Sequence, residues 1–140
     1  MRQRPRSPAP RHGGTGARLA GVPSECVTYS AASDHCAVIT IDRPEARNAI
    51  SPEVAQGIEG AIDAAEADDG VRVAVLTGTP PVFSAGADLK AIQAGRSDEL
   101  ATERGGFAGL VRRERCKPLI AAVEGAALAG GTESCWPATS

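Results

Sequence analysis

Three short β-branched runs punctuate the chain: Cys36-Ala37-Val38-Ile39-Thr40-Ile41, Val71-Arg72-Val73-Ala74-Val75-Leu76 and Leu119-Ile120-Ala121-Ala122-Val123. Each is too short for a stable helix and is closed by Gly, Pro or a charge, so each predicts a strand, the last two buried. Between the first two lies a stretch of helical period, in which Val54, Ile58, Ala61, Ile62 and Ala65 recur at spacings of three and four. Its start is marked by Ser51 as N-cap, Pro52 in the first turn and Glu53 near the positive end of the helix dipole. Asp69-Gly70 marks its end, with Gly70 expected in the left-handed conformation of a C-terminal cap. The signals predict a helix over roughly 52–68. Strands alternating with helical sequence point to an α/β fold with helices packed on a sheet.

Upstream, Cys26-Val27-Thr28-Tyr29 and the first run flank the turn-prone Ser30 to His35, which predicts a β-hairpin. Thr77 to Lys90 is rich in Gly and Pro, too irregular for one element and too apolar for a plain linker. Residues 97–115 are expected to be helical in part, although Gly105, Gly106 and Gly109 weaken the pattern. Ala126 to Glu133 is a small-residue turn whose acid is placed to open a helix.

Composition removes several function classes. No apolar run approaches the roughly 20 residues of a membrane span. The 140 residues include only four aromatics, too few for the stacking platforms of single-strand nucleic-acid binders. Arg112, Arg113, Arg115 and Lys117 read as a solvated helix end, because Glu114 interrupts them. Neither a membrane nor a nucleic acid is therefore an expected partner.

The net charge of −2 hides an asymmetry. Residues 1–24 hold five arginines and no acid; the remainder holds 10 basic and 17 acidic side chains, a net of −7. Its prolines and glycines forbid a continuous amphipathic helix, so residues 1–24 read as a disordered leader preceding an ordered domain that starts at residue 25. Cys26, Cys36, Cys116 and Cys135 contain no C-x-x-C pair, and only His12 and His35 accompany them. No zinc site is expected, and reduced thiols in a cytoplasmic protein are the default.

Two loops that follow predicted strands carry accessible backbone, Ser84-Ala85-Gly86-Ala87-Asp88 and Ala129-Gly130-Gly131. Gly and Ala leave amide N–H groups unshielded, and two such amides aimed at one point make an oxyanion hole for a carbonyl that becomes an enolate or a tetrahedral anion. Glu133 follows closely enough to act there as general acid or base. Small residues at strand ends also serve tight packing, and spacing alone leaves both readings open. Val82-Phe83-Ser84-Ala85-Gly86 lacks the first glycine of a nucleophile elbow, and neither a phosphate loop nor a dinucleotide fingerprint occurs.

Three motifs together resemble the enoyl-CoA hydratase/isomerase (crotonase) family: Ile39-Thr40-Ile41-Asp42-Arg43-Pro44-Glu45-Ala46-Arg47-Asn48-Ala49, Phe83-Ser84-Ala85-Gly86-Ala87-Asp88-Leu89-Lys90, and Lys117 to Glu133. The resemblance covers residues 25–133. It implies a crotonase-like spiral of β-β-α units that binds an acyl-CoA thioester, with no cofactor beyond the coenzyme A of the substrate. It further implies that the amides of Ala87 and Gly130 form the oxyanion hole, and that Ala85, Asp88, Leu89 and Lys90 lie along the substrate. Ala46 and Arg47 stand where the family's first loop approaches coenzyme A. Glu133 matches the glutamate that helps hydratases activate water for addition across the 2,3 double bond. Family members assemble as homotrimers or hexamers.

Two departures stand out. Ala129 occupies the first of three positions often filled by glycine. After Glu133 the family continues with an apolar helix, commonly reaching Ala-Cys-Asp, and a second catalytic glutamate lies further on; here the chain reads Ser134-Cys135-Trp136-Pro137-Ala138-Thr139-Ser140. Back-translated as GAG TCG TGC TGG CCT GCG ACC TCG and read from the third base, Glu133 to Ser140 gives Val-Val-Leu-Ala-Cys-Asp-Leu, the family's continuation. The expectation is a one-base deletion near the Glu133 codon and a foreign tail over 134–140. Two functions follow: an enoyl-CoA hydratase by ancestry, or, for this polypeptide, a catalytically inert fragment, with isomerase or hydrolase chemistry open within the family.

Overall fold

A computed structural model describes residues 24–32 and 35–131. Most of the expected leader, the expected tail over 134–140 and Glu133 lie outside the described residues.

The hairpin forms as expected but with a tighter turn: β1 (Val27–Ala32) runs antiparallel to β2 (Cys36–Ile41), in register from Val27 opposite Ile41 to Ala32 opposite Cys36. Helix α1 (Pro52–Ala67) then carries the chain across to β3 (Val73–Gly78), which pairs in parallel with β2. The start signals of α1 are all used, since Ser51 Oγ accepts the Val54 N–H at 3.2 Å and Pro52 opens the first turn. Its end differs. Gly70 is not left-handed; Asp68 leaves the helix in an extended conformation, and its Oδ1 accepts the Gly70 N–H at 2.8 Å. A short polar side chain thus turns the chain without the glycine's conformational freedom.

Strand β7 (Leu119–Ala121) adds in parallel to β3, giving the sheet order β1-β2-β3-β7. Val54, Ala55, Ile58, Ala61, Ile62 and Ala65 of α1 meet Val27, Tyr29, Ile39, Ile41 and Leu76 in one core. Of the expected buried strands, β3 is buried on one face only and β7 holds no fully buried residue. Residues alternate buried and half-buried along β3, and Ile120 and Val123 are about half exposed, because α1 covers a single face among the described residues.

The irregular segment after β3 holds β4 (Val82–Ser84), which pairs in parallel with β8 (Ala126–Ala127), and the short helix α2 (Leu89–Gln93). The order β1-β2-α1, β3-β4-α2, then β7-β8 followed by helical residues 130–131 is the expected repetition of β-β-α units.

The partial helix expected over 97–115 is replaced by a 3-10 turn (Ser97–Leu100) and a two-residue hairpin of β5 (Ala101–Thr102) and β6 (Gly106–Phe107). The basic cluster that follows is no solvated helix end. Arg113 pairs with Asp63 of α1, Lys117 Nζ donates to Ala65 O and Asp68 O at 2.6 Å, and Glu66 accepts the Cys116 and Lys117 N–H groups. Asp63 and Glu66 of α1 thus hold Arg113 and the amides of 116 and 117, and the carbonyls at the end of α1 hold Lys117, contacts that depend on tertiary placement rather than local period. No helix among the described residues is long and apolar enough to cross a membrane.

Candidate functional site

The site is built on a turn, residues 43–50, in which Arg47 (φ 54°) and Asn48 (φ 53°) are both left-handed. Asparagine tolerates that region because its side chain hydrogen-bonds nearby backbone. Asn48 is fully buried and every polar atom of its side chain is used. Its Oδ1 accepts the Arg43 N–H at 2.8 Å, and its Nδ2 donates to Thr79 O at 2.8 Å and Val82 O at 2.7 Å. Asn48 O accepts the Ser84 hydroxyl at 2.8 Å, and that hydroxyl oxygen accepts the Gly86 N–H. One asparagine and one serine therefore lock the turn to both ends of β4.

The first candidate loop is stitched alongside. Ala85 N–H donates to Arg47 O, Ile50 N–H to Gly86 O and Asp88 N–H to Ile50 O, all within 3.0 Å. In this bridge the groups of residues 86 and 88 turn toward Ile50, so the N–H of Ala87 turns to the opposite side. The second loop arrives through β8, where Leu128 N–H donates to Ser84 O at 3.0 Å. Gly86 adopts φ +88°, and a Cβ there would stand 2.8 Å from Leu128 O and 3.1 Å from Gly130 N. Only glycine permits this approach, which brings the two sequence-selected loops into contact.

A cavity of about 620 Å³ opens beside them. Ala46, Arg47, Ala85, Ala87, Asp88, Leu89 and Lys90 line it, each a residue selected from the sequence. Gly130 is not among the lining residues; it stands behind Gly86, while its neighbour Ala129 reaches the cavity. Arg47 and Lys90 have no acidic partner among the described residues, leaving two cations on the cavity wall.

Asp88 lines the cavity as expected, and its carboxylate is also tied to the protein. Oδ2 receives Arg43 Nη1 at 3.1 Å, and Oδ1 caps α2 by accepting the Lys90 N–H at 2.9 Å. Burial pushes its pKa up, but the Arg43 hydrogen bond and the Lys90 and Ala91 amides outweigh that and hold it below the usual aspartate value. Arg43 Nη1 also donates to Ala49 O, and its Nε lies 3.9 Å from Glu45. Arg43, Glu45 and Ala49 line the same cavity and were missed as site residues. The available signal was the charge pair of Arg43 and Asp88 in two motifs, but no spacing rule connects residues so far apart. Asn48 was also quoted without a role; its placement after an αL-prone turn was the clue.

The family profile described as enoyl-CoA hydratase/isomerase matches residues 31–135. A putative enoyl-CoA hydratase of Thermus thermophilus is 44% identical over 104 residues, spanning 69% of this chain and 40% of that protein. Enoyl-CoA hydratase EchA19 of Mycobacterium tuberculosis is 43% identical over 104 residues, spanning 71% of this chain and 39% of that protein. Among solved structures, an enoyl-CoA hydratase from Mycobacterium tuberculosis superposes with a TM-score of 0.72 at 44% identity, covering 79% of this chain and 42% of the other. The chain thus spans about 40% of the length of the curated relatives it matches.

Proposed function

The chain belongs to the enoyl-CoA hydratase/isomerase family, and from that premise we propose that it binds an enoyl-CoA thioester and supports addition of water across its 2,3 double bond. The observation that carries this reading is the meeting of the two small-residue loops at Gly86 beside a cavity whose wall holds Arg47 and Lys90. Attack of water at C3 drives electrons onto the thioester oxygen, and the enolate needs donors already in place. In this proposal the N–H groups of Ala87 and Gly130 supply them. Arg47 and Lys90 attract the phosphates of coenzyme A, and Leu89 with Ala85 and Ala46 flanks the chain of the substrate. Glu133 takes a proton from the attacking water. Asp88 contributes by fixing α2 rather than by touching substrate.

Enoyl-CoA hydratases among the relatives favour hydration over the other chemistries of the family. The same proposal includes a cytoplasmic location and no cofactor other than the substrate's own coenzyme A, with a homotrimer or hexamer expected of the full-length family. The test is crotonyl-CoA hydration by the purified chain, with binding followed calorimetrically. Turnover abolished by Glu133→Gln while binding persists is the expected result; absence of both binding and turnover in the unaltered chain overturns the reading.

A further inference from the structure

We propose that Phe107 is a positioning residue for Gly130, its ring edge fixing where the Gly130 amide lies; the inference rests on the reading of that amide as an oxyanion donor. A Cβ at Gly130 would stand 2.6 Å from both Cε1 and Cζ of Phe107. No carbon pair tolerates that separation, so the ring fills the space a side chain would take and bears on the Gly130 backbone. Gly130 is not left-handed, whereas the neighbouring Ala129 is, at φ 46°. Glycine is required at 130 by the ring and not by backbone conformation.

The ring is held from a different part of the molecule. Phe107 pairs with Ala101 across the β5–β6 hairpin, and its carbonyl accepts the N–H groups of Leu110 and Val111. Ala108, next along, is fully buried and donates to Leu100 O. On β5, Thr102 donates its hydroxyl to Glu59 of α1. Phe107 itself packs against the main core. The ring is thus anchored through the hairpin to α1, while the 128–131 turn it meets is bonded separately to β4 through Leu128 N–H and Ser84 O. Shifting the ring would let the turn relax and move a donor whose value depends on its placement.

The contact is tested with four forms of the full chain: unaltered, Phe107→Leu, Gly130→Ala and the double variant. Leucine keeps apolar bulk but has no atoms at the Cε and Cζ positions. Gly130→Ala alone is expected to lower the thermal midpoint by about 5 °C, and most of that loss should vanish when Phe107→Leu is also present. Additive losses overturn the inference. If Phe107→Leu fails to fold, Phe107→Met replaces it in the same cycle, its flexible end able to leave the contact.

A spectroscopic reading separates positioning from stability. In nitrogen-labelled protein the Gly130 amide resonance is expected to move in Phe107→Leu, and crotonyl-CoA affinity to fall about tenfold, the worth of one hydrogen bond to a polarised carbonyl. An unmoved Gly130 resonance with unchanged affinity also overturns the inference. If crotonyl-CoA perturbs no resonance of the unaltered chain, the acyl-CoA reading fails, while the thermal cycle still decides whether Phe107 and Gly130 are coupled.

Discussion

Arg43 and Asp88 meet across 45 positions of sequence, Nη1 to Oδ2 at 3.1 Å, while the same nitrogen holds Ala49 O. Both side chains are mostly buried, at 19% and 13% exposure, so the pair is screened less than a surface ion pair. It ties the first motif to the N-terminus of α2 and fixes one wall of the cavity.

Asp88→Asn keeps an acceptor for the Lys90 N–H but removes the charge, and is expected to cost about 2 kcal/mol, as for a hydrogen bond to a charged group. The pH dependence has a definite sign. The folded pKa of Asp88 is depressed, so its contribution is present above the ordinary aspartate range and is lost as pH falls through the lower folded value. Urea unfolding between neutral and acidic pH should show the gap between the two proteins closing on the acid side. A gap independent of pH counts against the pair.

Asn48→Ala leaves the Arg43 N–H, Thr79 O and Val82 O without their partner in a fully buried place. Three lost hydrogen bonds predict a loss of about 3 kcal/mol, measured by denaturant unfolding. Asn48→Asp should be no milder, since an anionic oxygen would face two carbonyls where an amide now donates.

Ala129→Gly is expected to stabilise the chain by ~0.5–1 kcal/mol, because alanine at φ 46° carries a Cβ–carbonyl clash that glycine lacks. A rise in thermal midpoint checks it; a fall would show that the Ala129 methyl contributes packing worth more than the strain.

Asp63→Asn removes the charge shared by Arg104 and Arg113 and replaces one of its two acceptor oxygens by a donor. Arg113 is the more buried partner, and its Nε has no acceptor among the described residues. Asp63→Asn should therefore cost about 1 kcal/mol, whereas Arg104→Gln should leave the unfolding midpoint nearly unchanged, because Arg104 is exposed and screened by solvent. Amide exchange should rise over 104–113 in the first variant only.

Strands β1, β2, β3 and β7, the helix over 52–67 and the two small-residue loops were legible from residues alone, because each follows from short-range rules, whereas the short strands β4, β5, β6 and β8 were not. Ser51 caps its own helix, β-branched residues favour extended chain, and Gly86 accepts a conformation that other residues resist. The exit of α1 and the segment 97–115 were misread for the opposite reason. Asp68 competed successfully with Gly70 for the turn, and Arg113 of the cluster that suggested a helix end found an acid on α1.

By itself, then, the sequence determined the opening hairpin, the helix, the strands β3 and β7, the loops that carry small residues, and the family whose motifs they match. Only the tertiary structure decided that Asp88 is tied to Arg43, that Asn48 brackets β4, and that Phe107 bears on Gly130. Local propensity depends on neighbours within a few residues, whereas these contacts depend on which distant groups the sheet and α1 bring within bonding distance, and no spacing along the chain encodes that.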